Sequence, residues 1–175
     1  MSHIIGHGRY KGETYPEGGG SGGGGAIVQT AYTEVPQDGT PRTNATTDFA
    51  DLLTVNITTT GGNTISVQAS ISADLQPTDG ITPPTTATAI LYRLVIDGHQ
   101  HMEGGNFSVL FPSNPTVYQV AATGAIVMEP DFNIGGGPHT VTLQWACKDS
   151  GFTATVDPGS VLNECATLLV EEIAA

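Results

Sequence analysis

Positive charge is what this chain has least of. Its 175 residues hold 5 Lys and Arg against 17 Asp and Glu, a formal net charge of −12, and lysine is nearly absent. Such a surface repels phosphate backbones, whose binding depends on clustered basic side chains and released counterions, so nucleic acid is excluded as a partner. Long apolar runs are missing too. No stretch reaches the roughly eighteen apolar residues of a membrane-spanning helix, and the N-terminus lacks the basic-then-apolar order of a signal peptide. Neither a membrane span nor ordinary secretion is expected, and export would follow another route. Aromatics are only 6% and charged residues 13%. With two cysteines, Cys147 and Cys165, the redox compartment is left open.

What is present in quantity is glycine, threonine and β-branched residues, a composition suited to pleated, half-buried strands. Residues 1–17 have no hydrophobic periodicity, and residues 18–25 read GGGSGGGG, a coil that cannot bury enough surface to fold alone. The sequence therefore divides into an N-terminal anchor peptide (1–17), a Gly-rich tether (18–25) and one domain (26–175), near the usual size of a single core. In the peptide, Ile4, Ile5, Tyr10 and Tyr15 would serve as anchors if it folds on a partner surface. The alternative, a disordered tail, stands beside it.

Beyond the tether, apolar runs recur between turn signals, and almost none has the helical period of 3.6. About eight strands are expected. Residues 26–35 open the series, and the Pro-containing PQDGTPRTN that follows reads as a loop. Residues 49–60 alternate through Leu53, Val55 and Ile57, then Gly61-Gly62-Asn63 leads into Ile65, Val67, Ala69 and Ile71. That pair is expected to form an antiparallel hairpin. Ile90, Tyr92, Leu94 and Ile96 share one strand face, DGHQHMEGGN reads as a loop, and residues 107–111 and 117–128 supply further strands. Val141, Leu143 and Trp145 lie on one side of the next strand, residues 152–156 are expected to pair back on it, and residues 166–173 close the chain. With no crossover helices, the pattern predicts an all-β, jelly-roll-like β-sandwich behind an extended Gly-rich arm.

The phrase HTVTLQWACKDSGFTATVDPGSVLNECATLLVEEI resembles the closing strands of jelly-roll domains in tailed-phage fibre and head-decoration proteins. IVQTAYTEVPQDGTPRTNATTDFADLLTVNITTTGGNTISVQASIS is similar to their opening strands. The resemblance spans roughly residues 26 to 173 and carries no catalytic signature. It implies a fold like the tumour-necrosis-factor and C1q-like jelly roll, a last strand beside the first ones, and a homotrimer in which three anchors gain avidity together. It also implies a virion location, with assembly in a host cytoplasm. No heptads or repeated strand motifs form a shaft, which favours a short head fibre or capsid decoration protein over a long tail fibre. The alternative is a receptor-binding module of a tail fibre, with the loops at 36–47, 76–86 or 97–106 touching a host glycan or protein.

Few residues nominate chemistry. His99 and His101 would face one way in a strand, and three copies around an axis would offer six imidazoles to one transition metal. As loop residues they would simply be solvated. His3 and His7 have helical ligand spacing among glycines that oppose a helix. Cys147 and Cys165 would close a disulfide loop worth about 3 kcal/mol, or remain free thiols; neither has a His–Asp partner set for catalysis. Asp74, Asp79, Asp97, Glu103, Asp131 and Asp149 fall in or beside turn signals without the ligand spacing of a calcium loop, so they read as solvated turn residues. Gly135-Gly136-Gly137 lacks the Lys and helix of a phosphate cradle and reads as a turn. Trp145 is expected in the core or a subunit interface, with a carbohydrate platform as the alternative. No paired-carboxylate cleft is nominated, and neither an enzyme nor a cofactor is expected.

Overall fold

The computed structural model describes residues 25–38, 40–78, 88–108, 120–127, 133–159 and 164–175. Ten strands occur among them: β1 (Ile27–Glu34), β2 (Arg42–Asn44), β3 (Ala50–Thr59), β4 (Thr64–Pro77), β5 (Thr88–Ile96), β6 (His99–Ser108), β7 (Val120–Val127), β8 (Gly137–Cys147), β9 (Phe152–Val156) and β10 (Ala166–Ile173). No helix is present among the described residues, hence none long and apolar enough to cross a membrane. Two antiparallel sheets face each other. One runs β1-β10-β4-β9-β2 with β7 on the other side of β4, and the second runs β3-β8-β5-β6. This is the jelly-roll-like β-sandwich that the alternating pattern predicts.

Alternation decides what is inside. Val67, Ile71 and Leu75 of β4, Leu168 and Val170 of β10, and Val141, Leu143 and Trp145 of β8 are buried on the facing sides of the two sheets. Ile90, Tyr92, Leu94 and Ile96 complete the filling from β5. Trp145 is a core residue, which settles its position between the alternatives above. The amide of Asn44 donates to the Trp145 carbonyl at 2.8 Å while its own oxygen accepts from Thr46, so a buried polar group ties β2 to β8 with its bonding satisfied.

Two expected hairpins are not hairpins. β3 pairs with β8, whereas β4 pairs with β10, β7 and β9, so the Gly61-Gly62 turn arches from one sheet to the other. Gly136 packs so close to this arch that a Cβ there would sit 2.8 Å from the Gly61 nitrogen. Likewise β9 does not pair back on β8; it crosses to the other sheet and joins β4 and β2. In both places each strand buries its apolar face against the opposite sheet, and a turn signal cannot say whether the strands it joins lie side by side or face to face.

The segment 99–106 corrects a third expectation. It is the first part of β6, joined to β5 by a two-residue turn in which Asp97 (φ 50°) and Gly98 (φ 80°) both adopt left-handed angles. Asp-Gly is a preferred pair for such a tight hairpin. The short β2 arises inside the expected PQDGTPRTN loop by pairing Arg42, Thr43 and Asn44 with β9.

Candidate functional site

The anchor residues Ile4, Ile5, Tyr10 and Tyr15, together with His3 and His7, lie outside the described residues, as do Asp79, Asp131 and most of the 76–86 loop. The described domain offers four places where polar or apolar groups gather.

The first is the β5–β6 turn. His99 and His101 are exposed on β6, and the register of β6 against β5 shifts at His101. Opposite them, Asp97 joins β8 through both carboxyl oxygens: Oδ1 accepts the Thr140 N–H at 2.9 Å and Oδ2 lies 2.7 Å from His139 Nδ1. These bonds hold the Asp97 carboxyl below its ordinary range, while burial and the neighbouring His99 lower His101. No group of three or more metal-ligating side chains comes together among the described residues.

The second is a pair of buried carboxyls. Asp74 is placed on β4, not in a turn, and is 5% exposed; Glu164, just before β10, is 1% exposed. Desolvation, then the charge of Glu164 and a hydrogen bond to it, push Asp74 up to about 6, with Asp157 adding a further repulsion. Asp74 Oδ1 has no hydrogen-bond partner, while Glu164 Oε2 accepts the Asp157 N–H at 3.2 Å. The two carboxyls are close enough for each to act on the other's charge. Sequence reasoning missed the pair because Asp74, just before QPTDG, reads as a solvated turn residue and nothing in the sequence brings Glu164 beside it.

The third is the outward side of β1 and β10. Tyr32 stands opposite Leu169, which stands opposite Gln68 of β4, and Glu34, Thr167 and Ser70 form the next row. Among the described residues, the exposed large hydrophobic ones, Ile27 (58%), Val28 (50%) and Tyr32 (53%), all belong to β1. The Tyr32 hydroxyl donates to Glu34 at 2.6 Å, which pushes its own ionisation up to about 12.

The fourth is a polar ladder across the outward face of the other sheet. Gln144 donates to Asp51 at 2.6 Å and accepts from Arg93 Nε at 2.8 Å, and Arg93 Nη1 reaches Gln100 at 3.1 Å. The guanidinium lies 4.1 Å from the centre of the Phe49 ring. Thr54 and Thr142 extend the ladder at 3.3 Å.

The cysteines are free thiols, Cys147 buried and Cys165 exposed. Burial raises the Cys147 thiol, which donates to the Asn44 carbonyl at 3.2 Å, so it is held as an inert core group.

No family model matches this chain, and no curated protein matches it. Among solved structures, it is similar to BtGH115A, a family GH115 4-O-methyl-α-glucuronidase with specificity for decorated arabinogalactans, at 14% identity and a TM-score of 0.32. That match covers 95% of this chain but 20% of the glucuronidase, and at that score it bears on neither fold nor function.

Proposed function

We propose that this chain is a structural virion protein, a short head fibre or capsid decoration protein without enzymatic activity, fixed by residues 1–17 and displaying the β-sandwich outward as a homotrimer. The observation that carries this reading is the pairing of β10 with both β1 and β4, the strand order that the resemblance to phage jelly-roll proteins implies. The outward face of those strands supports it. Gln68, Ser70, Thr167 and Leu169 form an uncharged patch there, bordered by Glu34 and Glu171, in a chain whose net charge is strongly negative. Removal of residues 1–25 is expected to abolish decoration of fibreless particles. Full occupancy by the truncated protein would overturn the anchor assignment.

A second reading, a receptor-binding module, is favoured by the ladder of Asp51, Gln144, Arg93 and Gln100 beside Phe49, because planar polar groups next to an aromatic ring suit sugar hydroxyls. A glycan array probed with the full chain and with Arg93→Ala separates the two. Binding lost in the variant supports adhesion, and the absence of any glycan signal leaves the structural role alone.

A further inference from the structure

Sheet edges are where chains meet by accident or by design, because a free edge presents unpaired N–H and C=O groups. Three of the edges here carry the usual safeguards. β2 is only three residues long. β3 shows polar groups to solvent at Asp51, Thr54, Asn56 and Thr58, and its register shifts near Asp51. β6 is irregular at His101 and lies against β7 of the other sheet, so those two edges shield one another.

β1 lacks such safeguards in its sequence. Among the described strands its ladder partner is β10 alone, and it lies against β3 of the other sheet, with the Gln29 side-chain amide on the Thr58 carbonyl. It contains no Lys and no Pro, and its one charge, Glu34, sits at its end and accepts the Tyr32 hydroxyl. Residues 29–34 run in unbroken register with β10, the irregularity being confined to Val28. The three exposed large hydrophobic residues of the described domain are all on this strand.

We propose that β1 is a pairing edge whose occupant is β1 of a second copy of this chain, antiparallel about a two-fold axis at Thr30. A second copy fits because the edge is self-complementary. Centring on Thr30 opposes Tyr32 to Val28 of the partner subunit and Val28 to its Tyr32, giving two apolar cross-strand pairs. Glu34 is the one carboxylate of β1 and lies away from Thr30, so no two carboxylates of the paired strands stand opposite. The pairing extends one sheet across both subunits and is isologous, closing after two copies. It goes beyond the virion reading and does not depend on it, since a two-fold pairing of β1 edges forms with or without a trimer.

The test is disulfide trapping in the full chain. Cys165 is exposed and is first replaced by Ser, while Cys147 is buried and stays. Thr30→Cys then places two thiols on the axis, where Cα atoms of an antiparallel pair stand about 4.5–5.5 Å apart, within disulfide range. Mild oxidation is expected to give mainly cross-linked dimers, while Thr58→Cys on the β3 edge stays monomeric on a denaturing gel. Adding Tyr32→Lys to Thr30→Cys is expected to slow cross-linking at least tenfold, and screening the net charge with about 0.5 M salt to speed it. The proposal is overturned if Thr30→Cys cross-links no faster than Thr58→Cys, or if Tyr32→Lys leaves the rate unchanged. A native trimer without Thr30 dimers would remove this inference and leave the virion reading standing; Thr30 dimers from a chain that never forms trimers would do the reverse.

Discussion

At the end of β4 that begins with Thr64, Glu172 is fully buried, and three donors surround it. Thr60 N–H reaches Oε1 at 2.6 Å, Asn63 Nδ2 reaches the same oxygen at 2.8 Å, and Gln29 Nε2 reaches Oε2 at 2.6 Å, the Gln29 amide also bonding the Thr58 carbonyl. Its carboxyl is held below the ordinary range, first by Asn63. At the far end of the same strand, Asp74 is as deeply placed but has Glu164 as its neighbour, and it is pushed up to about 6. Burial is common to both, so burial does not set the direction; the supply of N–H donors does. The first site uses a charge to pin the β3–β4 arch to β10 and β1. The second holds a carboxyl that desolvation and the neighbouring Glu164 make harder to ionise.

The comparison breaks most severely at Glu172. Glu172→Ala leaves the Thr60 amide and the side chains of Asn63 and Gln29 without their acceptor, and it is expected to lower the urea midpoint more than any of the substitutions below. Asp74→Asn is expected to do the opposite. Above pH 6 it removes a carboxylate that Glu164 and Asp157 repel, raising stability by on the order of 2 kcal/mol at pH 8 in urea unfolding, with the gain vanishing near pH 4.

The unaltered chain sharpens the contrast through pH alone. Asp74, whose folded value is raised, contributes stability that is complete below the ordinary carboxyl value of about 4 and is lost as pH rises through about 6. Glu172 and Asp97, whose folded values are lowered, contribute stability present above that ordinary range and lost as pH falls further. Thermal unfolding is therefore expected to peak between about pH 4 and 5.5, and Asp74→Asn to move the peak upward. The smallest effect is at Tyr32, where Tyr32→Lys is exposed on an edge strand and is expected to change stability by less than about 0.5 kcal/mol while reducing self-association.

The sheets were legible in the sequence because alternation is a property of each strand by itself. Leu53-Val55-Ile57, Ile90-Tyr92-Leu94 and Val141-Leu143-Trp145 all bury as their spacing predicts. Pairing was less legible, since Gly61-Gly62 marks a turn equally well for a hairpin and for an arch between sheets. Asp97-Gly98 was a readable hairpin signal inside a segment whose histidines and glycines suggested a loop. The buried acids were not readable at all. Glu172 depends on donors from β1 and the β3–β4 arch, more than a hundred residues away in sequence, and Asp74 depends on the approach of Glu164. The exposed β1 residues look in sequence like any other alternating strand; only the sandwich shows that Ile27, Val28 and Tyr32 are exposed among the described residues.

The proposal of an assembling virion component is tested most directly by the native mass of the full chain at micromolar concentration. The account predicts species built from multiples of three chains, and a protein that remains monomeric would contradict it.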